Sequence, residues 1–101
     1  TESWAAAWKE DGFVVNAMHP GWADTPGVQN SLPTFQKITK RFLRTPEQGA
    51  DTIIWLASAS EAGRISGKLF LDREPRSTYL LKSTIEAKEE RLKLLDFLDE
   101  F

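Results

Sequence analysis

The chain has no cysteine, which excludes disulfides and thiolate chemistry. It has one histidine, too few for the His/Cys sets that hold structural zinc, so no metal site is expected. No apolar run approaches the roughly 20 residues that span a bilayer. No signal peptide is visible at Thr1. The 13 basic residues form no stripe and are offset by 15 acidic ones, which argues against a nucleic-acid surface. There is no glycine-rich phosphate loop and no obvious catalytic acid–base pair. These absences describe one end of an enzyme rather than a whole one. Freedom from disulfides favours an intracellular, cytoplasmic setting. Membrane association through segments outside this sequence stays open.

What is present fits one domain at most. The length is 101 residues, and 41% of them are hydrophobic, enough for a core. Residues 1–10 place Trp4 and Trp8 one helical turn apart and read as the tail of a helix, with Gly12 as a left-handed cap. Residues 13–18 form a short apolar run rich in β-branched side chains, expected as a strand buried on both faces. Residues 19–44 are punctuated by Pro20-Gly21, Pro26-Gly27 and Pro33 and read as a loop. Within it, 34–43 has the spacing of a short amphipathic helix. Residues 45–59 have the clearest helix start: Thr45 as cap, Pro46 in the first turn, and Gln48 closing a capping box. Residues 67–72 read as a strand, and 83–101 as a helix whose capping box joins Ser83 to Glu86. This alternation is α/β, like part of a doubly wound parallel sheet. Two strands make no stable sheet alone, so further strands are expected from a longer chain.

Open parallel sheets bind ligands beyond the carboxyl ends of their strands. The end of 13–18 is therefore the candidate site. Pro20 fixes its own φ and holds His19 extended. Gly21 lets a ligand approach the backbone. The amides of Trp22, Ala23, Asp24 and Thr25 are candidate donors, and Thr25 adds a hydroxyl. Such a set suits a primary carboxamide, which presents one acceptor and one donor group. His19 reads as structural rather than as a general base, and Asp24 as solvated or capping. Arg73 reads as half of an ion pair rather than a phosphate contact.

Residues 18–27 (MHPGWADTPG), 45–57 (TPEQGADTIIWLA) and 66–75 (SGKLFLDREP) together resemble the C-terminal portion of short-chain dehydrogenases/reductases. The resemblance implies a Rossmann-type sheet and an NAD or NADP cofactor. It implies hydride transfer with a carbonyl or alcohol substrate, weakly hinted to be hydrophobic. By that likeness Pro20 and Gly21 shape the nicotinamide wall, Ala23 contributes backbone, and Thr25 contributes its hydroxyl. Trp22 either flanks the ring or packs against a lid. Residues 26–43 match the family's substrate loop, with Phe35, Ile38 and Phe42 on its apolar side. The family often uses the helix like 46–58 and the strand like 67–72 as a subunit interface, which implies a homo-oligomer.

The family's Gly-rich loop, catalytic Ser and Tyr-x-x-x-Lys are absent. Tyr79 is the only tyrosine, and Lys82 follows it at the wrong spacing, after the last strand. No catalytic residue is therefore assigned to this chain. The expected tyrosine and lysine lie upstream, in the helix that 1–10 completes, and the chain by itself is expected to be inactive. The other reading is a non-catalytic assembly module that keeps the fold and uses the helices at 46–58 and 83–101.

Overall fold

The β-branched residues of 13–18 favour extended backbone. A computed structural model describes residues 1–31, 33–39, 41–79 and 81–100, with the side chains of Val28, Pro33, Phe35 and Gln36 outside that description. Ladder pairing is confined to β1 (Ala17–Met18). Hydrogen bonding to the neighbouring segment is longer. Gly67 N–H donates to the Val15 carbonyl at 2.7 Å, Ala17 N–H to Lys68 at 2.9 Å, and His19 N–H to Phe70 at 2.9 Å. Asn16 fills a gap in this pairing. Its side chain donates to the Ile65 carbonyl at 2.6 Å and accepts from Lys68 N–H at 3.0 Å. Burial on both faces is not observed: Phe13 and Val14 are exposed, and β1 is an edge strand.

The sheet has the order β1–β2–β3. β2 (Leu69–Leu71) runs parallel to β1, with Ala17 opposite Leu69 and Met18 opposite Phe70. β3 (Glu74–Arg76) runs antiparallel to β2, with Phe70 opposite Pro75. The sheet is therefore mixed rather than wholly parallel. β3 contains a proline and reads as a break in sequence. It is tolerated because β3 lies at an edge, where a missing donor leaves no ladder bond unmade. The hairpin turn uses Asp72 and Arg73 at φ 57° and 60°, the left-handed pair that a two-residue turn of this twist requires.

Between the parallel strands runs α4 (Pro46–Ser58). Its capping box is formed. Gln48 N–H donates to Thr45 Oγ1 at 3.2 Å, and Thr45 N–H donates to Gln48 Oε1 at 2.9 Å. The helix lays Trp55 against Phe70, ring centroids 5.8 Å apart. Phe70 is fully buried, with Ala5, Ala62 and Thr52 as further buried residues.

The other α-helices among the described residues are α1 (Glu2–Ala7), α2 (Pro26–Ser31), α3 (Pro33–Thr39) and α5 (Lys88–Asp99). All four differ from the pattern-based reading. α1 ends at Ala7 with Trp8 rather than Gly12 at its C-cap, because the chain leaves the helix one turn earlier than the apolar spacing suggests. α2 forms inside a stretch read as loop, because Pro26 is pre-shaped for a first helical position. α3 ends before Phe42. α5 starts well after Ser83. A single 3₁₀ turn occupies Lys82–Thr84, and Glu86 is engaged by Tyr79 and Arg91 instead of closing a capping box.

The radius of gyration is 16.8 Å, against about 13 Å for a compact domain of this length. The accessible surface is 8234 Å², against roughly 5,800 Å² expected from mass. The excess is apolar: Trp4, Trp8, Ile53, Ile54 and Leu98 are all exposed. A small mixed sheet with uncovered helix faces is consistent with part of a larger α/β domain. Because the Phe70 side chain is fully buried, Phe70→Ala is expected to destabilise the protein by about 3–5 kcal/mol, measured by urea unfolding of the full-length protein.

Candidate functional site

β1 ends at Met18, and the chain turns at once. Gly21 sits at φ 75°, a backbone conformation that other residues rarely adopt. Its N–H donates to His19 Nδ1 at 2.9 Å, so the imidazole braces the turn. The next residues pair with the segment that enters α4. Arg44 N–H donates to the Trp22 carbonyl at 2.9 Å, and Asp24 N–H donates to the Arg44 carbonyl at 2.8 Å. Ala23 is thus the centre of a parallel bridge with Arg44. In such a bridge the groups of residues 22 and 24 face the partner, and those of residue 23 face away. The Asp24 amide is therefore already used and is not a ligand donor. The N–H and C=O of Ala23 point to the other side and have no protein partner among the described residues.

His19, Pro20, Gly21, Trp22, Ala23 and Thr25 line one open cleft of ≈ 250 Å³. That is below the several hundred Å³ of a complete small-molecule site. Trp22 is 57% exposed along the cleft. Thr25 stands directly before α2, where its carbonyl accepts from Gln29 N–H at 3.0 Å. Gln29 also donates to Asp24 Oδ1 at 3.1 Å, which ties Asp24 to the helix start. α4 backs the cleft closely. A Cβ on Gly49 would stand 3.2 Å from the Ala23 Cβ.

Two of the three expected lid side chains are described, and they do not line this cleft. Ile38 is 75% exposed and Phe42 86% exposed, and neither lines it. The side chain of Phe35 lies outside the described residues.

Two ion pairs fasten the neighbourhood. Arg44 forks onto Asp72, with Nη1 on Oδ1 and Nη2 2.8 Å from Oδ2. These hydrogen bonds hold the Asp72 carboxyl below its ordinary range and raise the Arg44 guanidinium. Arg73 forks onto Asp51 of α4, its Nε 2.7 Å from Oδ2, and its backbone N–H donates to Thr52 Oγ1 at 3.2 Å. Asp51 is likewise held low by its hydrogen bonds from Arg73. Arg44 escaped the sequence reading. Its acidic partner is 28 residues away, and no local spacing announces the pair.

Tyr79 belongs to a different cluster. Its O–H donates to Glu86 Oε2, and Arg91 Nη2 lies 3.3 Å from the phenol oxygen. Arg91 also bonds Glu86 through Nε at 2.8 Å and pairs with Glu2 of α1 at 2.9 Å. The hydrogen bond to Glu86, then burial, raises the phenol above its ordinary pKa. A general acid–base near neutral pH needs the opposite shift. No cluster of metal-binding side chains occurs among the described residues. None of their helices is long and apolar enough to cross a membrane.

No family model and no solved structure matches the sequence. Curated proteins do. The chain is 43% identical over 102 aligned residues to dehydrogenase/reductase SDR family member 12 of Homo sapiens, covering 99% of this chain and 32% of that protein. The Bos taurus protein of the same name is 45% identical over 102 residues, with the same coverage of each. Nearly the whole chain is therefore similar to the C-terminal part of short-chain dehydrogenase/reductase proteins. It spans about a third of the length of these relatives. Polyprenol dehydrogenase of Danio rerio is 39% identical over 75 residues, covering 69% of this chain and 23% of that protein. Similarity to these proteins implies a Rossmann-like fold, and the parallel β1–α4–β2 unit is consistent with a part of one.

The Tyr79 cluster generates a pH prediction. Hydrogen bonds from Tyr79 and Arg91 lower the Glu86 carboxyl from an ordinary 4.5 to about 2. A depressed carboxyl stabilises the fold fully above its unfolded pKa and loses that contribution as pH falls through the folded value. Between pH 4.5 and about 2, α5 should loosen from residue 79 and α1, read as faster amide exchange in Lys88–Asp99. Glu86→Gln should flatten that pH dependence.

Proposed function

We propose that the protein bearing this chain is an oxidoreductase that moves hydride between NAD or NADP and a carbonyl or alcohol substrate. The observation that carries this is that Ala23 lines the cleft beyond the carboxyl end of β1, while its bridge to Arg44 engages the backbone groups of Trp22 and Asp24 and leaves its own N–H and C=O for a ligand. A nicotinamide carboxamide offers the complementary acceptor and donor. The residues present fit that group. Ala23 would hold the carboxamide through its backbone and Thr25 through its hydroxyl. Pro20 and Gly21 would form the wall, with Trp22 beside the ring. The dinucleotide, when bound, supplies or accepts the hydride. No proton-transfer residue is assigned to this chain. That role falls to a tyrosine and lysine outside these 101 residues, and the chain alone is inactive.

On this reading residues 1–101 are the C-terminal part of a single Rossmann-type domain, and the remaining strands cover β1 and the exposed faces of α1 and α4. The apolar residues of the 26–43 loop, Phe35, Ile38 and Phe42, serve as a substrate lid. Their character supports a hydrophobic substrate. The name of the Danio rerio relative, which specifies a long apolar alcohol, supports the same class. One observation favours the other reading. Ile53 and Ile54 leave α4 with an exposed apolar face that suits assembly in a non-catalytic module, or a homo-oligomeric contact of the enzyme.

The deciding measurement is dinucleotide binding and hydride transfer by the full-length protein. Thr25→Val removes the hydroxyl and keeps the shape. It should raise the dissociation constant, or slow hydride transfer, about tenfold, the scale of one hydrogen bond to a ligand. Unchanged binding and rate would remove Thr25 from the site. A full-length protein that binds no dinucleotide would favour the assembly module.

A further inference from the structure

The geometry points to Arg44 as a positioning residue for the nicotinamide carboxamide, acting through the backbone of Ala23; this rests on the oxidoreductase reading. Arg44 meets the candidate turn in two ways. Its backbone N–H and C=O take the groups of Trp22 and Asp24, which directs those of Ala23 into the open. Its guanidinium lies flat against Gly21. A Cβ built there would stand 2.9 Å from both Cζ and Nε. Nη1 also reaches toward the Pro20 carbonyl, at 3.5 Å.

The guanidinium is itself held. Asp72 grips it with both carboxylate oxygens from the tip of the β2–β3 hairpin. That tip needs holding, because Asp72 and Arg73 both occupy the left-handed region without being glycine. α4 secures it from the other side through Asp51 and Thr52. A continuous chain of contacts therefore runs from α4 through the hairpin tip and Arg44 to the Pro20-Gly21 turn. A flexible lysine could supply the charge here, but only the planar fork binds Asp72 at two points while lying against Gly21. Arg44 need not touch the cofactor. Its contribution is the fixed direction of two backbone groups, realised only when a ligand carries the matching carboxamide.

That dependence separates positioning from general support of the fold. Arg44→Met is made in the full-length protein, and two ligands are titrated: the reduced dinucleotide that the protein prefers, and ADP-ribose (or its 2′-phosphate), which lacks the nicotinamide. The dinucleotide should bind about tenfold more weakly, the scale of lost charge-assisted support. ADP-ribose should bind as before, which also reports that the variant is folded. Asp72→Asn keeps the side-chain volume, and it reads the same difference should Arg44→Met fail to fold. Equal losses for both ligands, or no loss for either, would overturn the positioning role while leaving the oxidoreductase reading intact. Failure of the unsubstituted protein to bind the dinucleotide would overturn both.

Discussion

The turn that ends β1 keeps its shape because one residue grips it through both backbone and side chain. Arg44 is bonded on either side of Ala23 by its main chain and lies across Gly21 with its side chain. The same residue immediately precedes the Thr45 cap of α4. The start of that helix and the carboxyl end of the strand are therefore fixed together. Gly49 completes the arrangement, since a larger residue would crowd Ala23. Each of these contacts is modest and partly solvated. Their value lies in converging on the same few backbone atoms rather than in large individual energies.

The rest of the molecule is loosely enclosed around this point. Phe70 and Trp55 form a small centre between β2 and α4. Beyond it, the tryptophans of α1 stack on one another with ring centroids 5.9 Å apart while remaining exposed. α5 is attached through the charged group of Glu86, Arg91 and Glu2 together with Tyr79, not through a buried stripe. The apolar faces without cover agree with a chain that spans about a third of the curated relatives it matches. β1 likewise presents an open edge, where a parallel sheet would continue.

Local signals were legible where the cause was local. Thr45, Pro46 and Gln48 specify a helix start by themselves, and the capping box forms. Gly12 is left-handed as expected, at φ 78°, but it lies in the turn beyond Trp8 and does not cap α1. Arg73 finds a carboxylate rather than standing free. The failures share a different cause. Ser83 and Glu86 spell a capping box as well as Thr45 and Gln48 do. Arg91 and Tyr79, brought near by the tertiary fold, bind Glu86 instead. Asp72-Arg73-Glu74-Pro75 carries no strand pattern, yet it makes a hairpin. Asp51 and Arg44, distant in sequence, hold the turn, and an edge strand tolerates proline.

The order of residues alone settled the helix beginning at Pro46, the abrupt stop after Met18, and the likeness to short-chain dehydrogenases/reductases, because each depends on neighbours within a few positions. Folding decided which atoms face the cleft. Alternation along a bridge sends the amides of residues 23 and 24 in opposite directions, and only the pairing with Arg44 fixes which of them is engaged within the protein. Charge partners many residues apart were set in the same way. An ion pair is a statement about distance in space, and spacing along the chain carries that information only within a helical turn or across a short hairpin.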